Sequence, residues 1–189
     1  GLKFFTPAGG LDSPDISEIL AYAEAGEAPS PAAGGSVTPT DYMTRYAANL
    51  REMIKDGVAA PDRDHPLQGF KIVVDAGNGA GGFFAGQVLA PLGAELSGSQ
   101  FLEPDGNFPN HIPNPENEVA MQSVCKATLD AKADMGVIFD TDVDRAALVD
   151  KGGIAINRNR VVALLSKIVL EQNPGSTIVT DSVTSNGLT

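Results

Sequence analysis

Three aspartates alternate with other residues in the segment Asp-Thr-Asp-Val-Asp-Arg, which spans positions 140–145. The segment directly follows MGVIF, an apolar run that predicts a buried strand, and the carboxyl end of such a strand commonly carries the site of an α/β sheet. Crowded carboxylates repel one another, and a hard divalent cation with oxygen ligands, Mg²⁺ or Ca²⁺, neutralises them. The spacing therefore predicts a metal site formed by Asp140, Asp142 and Asp144. A solvated acidic turn is the alternative, which Arg145 and the preceding strand disfavour.

An EF-hand loop uses the same pattern, because it also has acidic residues at its first, third and fifth positions. Its sixth position would be Arg145 in place of glycine, and its twelfth would be Lys151 in place of glutamate. Neither the sharp turn nor the bidentate ligand is present, so we set the EF-hand aside.

A haloacid-dehalogenase-like phosphotransferase is a further interpretation, because a strand followed by DTDV also resembles that family. Asp140 would then be the nucleophile and Asp142 the acid/base. That family expects Thr or Val at the position of Asp144, which weakens this interpretation and leaves it open.

A glycine-rich turn follows the predicted strand FKIVVDA, and Gly77, Gly79 and Gly82 have the spacing of a dinucleotide-binding turn. The acidic residue that would hold the ribose, Glu103, lies later than the roughly 20 residues expected. We therefore favour a structural role, in which the glycines let a strand turn sharply into a closely packed helix.

A proline-rich loop at residues 104–115 lies between a predicted strand and a predicted helix. Its prolines make it rigid, and loops of this kind position side chains. His111 in this loop can exchange a proton or bind a phosphate oxygen near neutral pH. A histidine that only hydrogen-bonds within its own loop is the simpler interpretation.

Strands and helices alternate from residue 70 onward, which predicts a three-layer α/β/α fold. The predicted strands are FKIVVDA, AELSGSQF, MGVIFD and TIVTDS, and the predicted helices run from about Gly79 to Leu92, from about Asn117 to Ala133 and over RVVALLSKIVLEQ. ALVD and IAIN, separated by KGG, predict a hairpin. We therefore expect a mixed, mostly parallel sheet.

The preceding part of the chain is broken by residues 25–40, which are rich in Ala, Pro, Gly and Ser and predict a mobile linker. A short strand, GLKFFT, and a helix with Ser13 as its N-cap come before the linker, and a helix from about Asp41 to Lys55 follows it. The predicted division of the chain is a first unit at 1–60 with this linker, an α/β domain at 61–180 and the start of a further domain at 181–189.

The charge balance limits the partners of this chain. With 13 basic and 24 acidic residues the net charge is −11, which argues against nucleic acid and anionic membrane surfaces. No apolar run reaches the ~20 residues of a spanning helix, and the first residues lack a signal-peptide pattern. Cys125 is the single cysteine, so no internal disulfide forms, which fits a reducing compartment. We therefore expect a cytoplasmic protein.

Four segments, in order, closely resemble the second domain of the α-D-phosphohexomutases, the phosphoglucomutase/phosphomannomutase family: KIVVDAGNGAGG, EPDGNFPNHIPNPENE, GVIFDTDVDRAALVD and IVTDSVTSNGL. The amino-terminal GLKFFTPAGGL resembles the segment just after that family's phosphoserine loop. The resemblance thus covers the end of the first domain, the whole second domain and the threshold of the third.

This resemblance implies an enzyme that moves a phosphoryl group between the 1- and 6-positions of glucose or mannose phosphate through a hexose bisphosphate. It implies Mg²⁺ as the cofactor, with Asp140, Asp142 and Asp144 as its ligands, Arg145 close to the catalytic phosphate and His111 beside the active cleft. The chain departs from the family at Thr141, where the family usually has glycine.

The same resemblance places the reactive phosphoserine before Gly1. We therefore expect this chain alone to lack turnover, and we expect hexose phosphate and hexose bisphosphate to be partners of the intact enzyme. A stand-alone metal-binding module is the alternative that involves no catalysis.

Overall fold

The computed structural model describes residues 4–26 and 35–180 together with Thr184. It divides the chain into two compact units, Gly1–Thr40 and Asp41–Thr189. The predicted linker at 25–40 lies partly outside the described residues, and the predicted start of a further domain at 181–189 lies outside them except for Thr184.

The described residues of the first unit form a short hairpin and one helix. Strands β1 (Phe5–Thr6) and β2 (Gly9–Gly10) pair antiparallel, and helix α1 spans Ser13–Ala25. Asp12 is the N-cap of α1, not the predicted Ser13. Its carboxylate accepts from the backbone N–H of Asp15 at 3.3 Å, and the carboxylate of Asp15 accepts from the backbone N–H of Asp12 at 3.4 Å. This reciprocal capping box satisfies two N–H groups and explains why the helix begins one residue after Asp12.

The second unit is an α/β domain. Its helices are α2 (Tyr42–Gly57), α3 (Glu118–Asp130) and α4 (Arg158–Gln172), and its strands are β3 (Ile72–Asp75), β4 (Met135–Phe139) and β5 (Ala146–Asp150). The strand order is β3-β4-β5, with β3 parallel and β5 antiparallel to β4. The sheet is therefore mixed, as the sequence predicts. None of the helices in the described parts of the chain is long and apolar enough to cross a membrane.

Helical structure covers both faces of this sheet. One core cluster joins the sheet to the helical segment that follows β3: Ile72, Val74, Ala85, Leu89, Val137 and Phe139. The other joins the opposite face to α3: Val73, Ala120, Val124, Ala133, Ile138 and Val149. Because successive strand residues face opposite sides, a sheet covered twice needs apolar residues at every position, which is why IVV and GVIF are continuous apolar runs. The result is the predicted three-layer α/β/α arrangement.

Helix α2 packs within the second unit. Ala47 of α2 is buried with Val88 and Leu92, and Leu50 packs against this cluster. The sequence-based division grouped this helix with residues 1–60, whereas the compact unit begins at Asp41 because the apolar face of α2 has its partners there. The assignment of segments to the domains of the phosphohexomutases stays a prediction.

The helix predicted from Gly79 to Leu92 consists of three short pieces: a 3₁₀ turn at Ala80–Gly82, a π-helix at Phe84–Leu89 and a 3₁₀ turn at Ala90–Leu92. Four glycines and Pro91 give this segment a low α-helix propensity. Close packing adds a constraint, because a Cβ on Gly82 would lie 1.8 Å from the carbonyl oxygen of Leu102. The predicted position of the segment is confirmed, but its predicted regularity is wrong.

The strand predicted at AELSGSQF is reduced to two isolated parallel bridges, Lys71 with Glu95 and Asp75 with Gln100. Between them Gly98 has φ 101°, a left-handed conformation that interrupts an extended strand. The segment therefore follows β3 without forming a continuous ladder with it.

The predicted hairpin after β5 is also shorter than expected. Among the described residues, IAIN contributes a single antiparallel bridge between Val149 and Ala155. The long antiparallel partner of β5 is instead β4, so the loop between these two strands is the main hairpin connection. Residues 177–180 of the predicted strand TIVTDS adopt no strand conformation, and the remainder of that segment lies outside the described residues.

Candidate metal centre

The six residues at 140–145, here called the metal loop, connect β4 to β5 as the loop of a hairpin. Phe139 and Ala146 pair immediately before and after it. Within the loop, the backbone N–H of Asp140 donates to the carbonyl oxygen of Arg145 at 3.1 Å, and the N–H of Val143 donates to the carbonyl oxygen of Asp140 at 3.4 Å. These bonds fold the loop into a tight turn at the carboxyl end of β4.

The three aspartates converge in this loop. One carboxylate oxygen from each of Asp140, Asp142 and Asp144 lies within 4.8 Å of the other two. Oxygens on opposite sides of one cation are about 4.2 Å apart for Mg²⁺ and about 5 Å apart for Ca²⁺. Asp142 and Asp144 are exposed, so their side chains can adjust, whereas the buried Asp140 is fixed. Both the spacing and the hard oxygen donors fit a single divalent cation.

Arg145 is bonded to the carboxylate of Asp140 twice, through its backbone and through its side chain. Its backbone N–H donates to Oδ1 of Asp140 and its Nε donates to Oδ2, both at 3.0 Å. Nε also lies 3.5 Å from Oδ1 of Asp144, and Nη1 donates to Oδ1 of Asn114 at 3.4 Å. The guanidinium thus supplies positive charge directly beside two of the three carboxylates.

The pKa values of the triad reflect this crowding. Burial acts to raise the pKa of Asp140, but hydrogen bonds from the Arg145 backbone, from Asp144 and from the guanidinium outweigh it and lower the pKa overall. The hydrogen bond with Asp140 raises the pKa of Asp144, and the negative charges of Asp142 and Asp140 raise it further. These shifts reflect repulsion among the three carboxylates, which a divalent cation would relieve.

The backbone of the metal loop is strained at Val143. This residue has φ 65°, in the left-handed region that a β-branched side chain rarely adopts. Thr141, the departure from the phosphohexomutase pattern, lies outside that region, and its hydroxyl donates to the carbonyl oxygen of Pro113 at 3.4 Å. The threonine is therefore accommodated without left-handed strain.

The glycine-rich turn after β3 packs directly on the metal loop. The backbone N–H of Ala80 donates to the carbonyl oxygen of Thr141 at 2.9 Å. A Cβ on Gly79 would lie 2.9 Å from that same oxygen, and a Cβ on Gly77 would lie 2.9 Å from Cε1 of His111. The space beside these glycines is filled by protein, which supports the structural interpretation of the turn over the dinucleotide-binding one.

His111 lies in a buried position on the loop at 104–115. It is 7% exposed, its Nδ1 is 3.1 Å from the carbonyl oxygen of Ile112, and its Nε2 is 3.0 Å from Oδ1 of Asp75. The structure thus brings Asp140, Asp142, Asp144 and Arg145 together, whereas the hydrogen bonds of His111 are made to Asp75 and Ile112 and not to the triad.

A groove of about 510 Å³ borders the metal loop. Its lining includes Asp144 and Arg145 from the metal loop, Glu116 from the segment just before α3, and Arg158 from the start of α4. Nη1 of Arg158 donates to Oε1 of Glu116 at 3.0 Å. The groove therefore places two guanidinium groups and an acidic metal loop around one concave surface.

Two contributors to the site were not singled out from the sequence. Asp75 is the last residue of β3, and Asp140 directly follows the neighbouring parallel strand β4. The carboxyl ends of parallel strands meet at one edge of the sheet, so the sequence does contain a signal that places Asp75 near Asp140. Asn114 carries no such signal, because its contact with Arg145 joins residues 31 positions apart.

Together, the three-layer fold and the acidic hairpin loop at the carboxyl end of the central strand define an α/β/α domain with a candidate divalent-cation site. Residues 45–153 match the sequence profile of "Phosphoglucomutase/phosphomannomutase, alpha/beta/alpha domain II". The chain belongs to this family.

Individual relatives agree with this assignment. A phosphoglucomutase of Neisseria gonorrhoeae is 34% identical over 181 residues, which are 96% of this chain and 37% of that protein. A phosphomannomutase/phosphoglucomutase of Pseudomonas putida is 39% identical over 157 residues, 83% of this chain and 32% of that protein. The crystal structure of a phosphoglucomutase/phosphomannomutase family protein from Burkholderia thailandensis matches with a TM-score of 0.66 at 30% identity, over 88% of this chain and 33% of that one. The chain thus spans about a third of the length of these relatives.

The haloacid-dehalogenase interpretation finds no support in this geometry. Asp140, its proposed nucleophile, is 1% exposed, and both of its carboxylate oxygens accept hydrogen bonds from Arg145. The match of residues 45–153 to the phosphoglucomutase/phosphomannomutase profile favours the phosphohexomutase interpretation instead.

Proposed function

We propose that this chain is the cation-binding part of a phosphohexomutase, an enzyme that interconverts hexose 1-phosphate and hexose 6-phosphate through a hexose bisphosphate. The observation that carries the proposal is the convergence of Asp140, Asp142 and Asp144 within 4.8 Å, with the Arg145 guanidinium in contact with two of them. A site of this kind combines a hard-cation cage with an anion-binding side chain, and both stabilise negative charge in phosphoryl transfer.

Each residue has a distinct role in this proposal. Asp140 is the fixed ligand, because it is buried and tied to the backbone of Arg145, while Asp142 and Asp144 complete the cage from the exposed side. Mg²⁺ is the proposed cation, and when bound it would neutralise charge on the transferring phosphoryl group. Arg145 presents further N–H donors, and a guanidinium binds phosphate oxygens strongly through parallel hydrogen bonds.

The partners follow from the same chemistry. The groove beside the metal loop has room for a phosphorylated ligand, and Arg145 and Arg158 on its lining offer donors for anionic oxygens. The net charge of −11 makes nucleic acid an unfavourable partner. Hexose phosphate and hexose bisphosphate are therefore the proposed ligands of the intact enzyme, and the cytoplasmic location stays a prediction.

A segment exchange tests the proposal. Residues 41–180 would replace the matching segment of the Pseudomonas putida phosphomannomutase/phosphoglucomutase, and turnover of glucose 1-phosphate and mannose 1-phosphate would be followed in a coupled dehydrogenase assay. We expect Mg²⁺-dependent turnover that is lost with Asp140→Ala. Asp130→Ala, which changes an exposed aspartate of α3, is the matched control and should retain turnover.

Folding and cation binding of the exchanged protein are measured alongside. A folded chimera that binds Mn²⁺ yet turns over neither sugar phosphate would contradict the phosphohexomutase proposal. That outcome would favour the alternative of a stand-alone metal-binding module.

A further inference from the structure

A buried carboxylate lies at the end of β3, close to the metal loop but outside it. Asp75 is 0% exposed, and both of its oxygens are engaged. Oδ1 accepts from the backbone N–H of Gly77 at 2.9 Å, and Oδ2 accepts from Nε2 of Gln100 at 2.8 Å. Nε2 of His111 lies 3.0 Å from Oδ1 and 3.1 Å from Oδ2. Such a fully satisfied buried carboxylate fixes the groups around it.

The imidazole of His111 is held on every side. Its Nδ1 faces the carbonyl oxygen of Ile112, which can only accept, so Nδ1 carries a proton. Its Nε2 is hydrogen-bonded to Asp75, and its ring packs edge-on against Phe101 with the centroids 5.4 Å apart. Neither nitrogen remains for a substrate, which excludes direct proton transfer to a ligand in this arrangement and favours a positioning role.

The residues that follow His111 reach the metal loop. The hydroxyl of Thr141 donates a hydrogen bond to the carbonyl oxygen of Pro113, and Nη1 of Arg145 donates one to Oδ1 of Asn114, each at 3.4 Å. His111 is thus the anchored end of a short rigid segment whose other end holds two residues of the metal loop. The bond to Asn114 also draws part of the guanidinium toward the neighbouring loop.

The energetics of a buried, hydrogen-bonded Asp–His pair favour a positional role. A buried Asp–His pair adds little net stability compared with apolar residues of similar shape, because desolvation offsets the attraction. Removing one partner alone is costly, because the other is left buried without compensation. In some proteins such a pair serves to select one arrangement of the chain over others.

We propose that Asp75 and His111 form a positioning pair, which locks the loop at 104–115 to the end of β3 and thereby sets the geometry of the cation-binding metal loop. The inference rests on the proposed function, since it assumes that the metal loop binds a divalent cation. Outer-shell partners of metal ligands typically change metal affinity by 10–100-fold when they are replaced. Because this pair acts through Pro113 and Asn114, we expect an effect of about tenfold, at the low end of that range.

Mn²⁺ binding to the 189-residue chain, followed by electron paramagnetic resonance, tests the pair. His111→Phe keeps the ring beside Phe101 but removes the bonds to Asp75 and Ile112, and it should weaken Mn²⁺ binding about tenfold. His111→Gln retains a donor for Asp75 and should recover part of the affinity. The double variant Asp75→Asn/His111→Phe should lose less binding free energy than the two single variants lose together, because both substitutions remove the same interaction.

The control separates positioning from stability. Thr128→Val removes another buried hydrogen bond, from the Thr128 hydroxyl to the carbonyl oxygen of Val124 at 2.7 Å within α3. It should lower the melting temperature without changing Mn²⁺ affinity. If His111→Phe does not fold, His111→Gln alone decides the question, with an expected weakening of about threefold.

The possible results distinguish the two proposals. If the unmodified chain binds no Mn²⁺, the proposed function fails and this inference fails with it. If the unmodified chain binds Mn²⁺ and the folded His111 variants bind it equally well, only the positioning role is refuted. Equal weakening by Thr128→Val would also refute it, since the effect would then be one of general stability.

Discussion

Replacing Arg145 by methionine should strengthen divalent-cation binding, although arginine belongs to the proposed site. The Nε of Arg145 lies 3.0 Å from Oδ2 of Asp140 and 3.5 Å from Oδ1 of Asp144, so the guanidinium occupies oxygens that a cation would ligate. A cation has to break or weaken these contacts before it binds. Methionine keeps the length and packing of the side chain, and the backbone N–H of residue 145 still donates to Asp140.

The size of the effect follows from the exposure of the pair. The Arg145 side chain is 53% exposed, so its contacts are screened by water despite the burial of Asp140. Exposed ion pairs are weak, so removing the competition of these two contacts corresponds to a gain in affinity of roughly fivefold. The gain should shrink as ionic strength rises, because surface charge interactions are screened by salt.

Calorimetric titration with Mn²⁺ at low salt measures the change directly. Arg158→Met is the matched control: Arg158 is 62% exposed, is paired with Glu116 at 3.0 Å and makes no bond to the triad among the described contacts. It should leave the affinity close to that of the unmodified chain. If Arg145→Met weakens Mn²⁺ binding or leaves it unchanged, the guanidinium orders the metal loop and does not compete with the cation, and our reasoning is refuted.

Three further predictions concern packing, pH and turnover. In urea unfolding, Gly79→Ala should destabilise the domain by about 1–3 kcal/mol through overpacking, because the new Cβ would lie 2.9 Å from the backbone of the metal loop. Gly86→Ala is the control, because a Cβ there has free space, and this variant should be neutral or stabilising. Hydrogen bonds from Ser97 lower the pKa of Glu95 from 4.5 to about 2, so Glu95→Gln should be less stable than the unmodified chain at pH 7. This difference in stability should vanish as the pH falls from 4.5 to 2, and a difference that is constant with pH would contradict the prediction. The 189-residue chain alone, supplied with Mg²⁺ and a hexose bisphosphate, should not interconvert sugar phosphates in a coupled assay, and turnover that disappears with Asp140→Ala would reveal a nucleophile within these residues.

The sequence carried most of the information about the metal loop, because its chemistry is local. Asp140, Asp142 and Asp144 are separated by single residues and follow a buried strand, so a tight turn necessarily brings them together. The apolar periodicity likewise predicted the positions of α2, α3 and α4 and of the central strands. These elements are long enough, or buried enough, for their pattern to be unambiguous.

The features that sequence reasoning missed depend on distant partners. Asp75 lies in an otherwise apolar strand, and its burial is explained by partners far along the chain, Gln100 and His111, which are 25 and 36 positions away. The segment AELSGSQF has a strand-like composition, but the left-handed Gly98 interrupts it. In both cases a tertiary contact decides, because a Cβ on Gly98 would lie 2.6 Å from Cβ of Ala131, and β-propensity alone does not predict such contacts.

The most direct test of the central claim is a Mn²⁺ titration of the unmodified chain beside Asp142→Asn and Asp144→Asn, with Asp130→Asn as an exposed-aspartate control. We predict one Mn²⁺ per chain. Each loop variant should weaken binding by about tenfold or more, because each loses one of three anionic ligands, while Asp130→Asn should bind as the unmodified chain does. Unchanged binding in both loop variants would contradict the claim that the hairpin loop between β4 and β5 holds the cation.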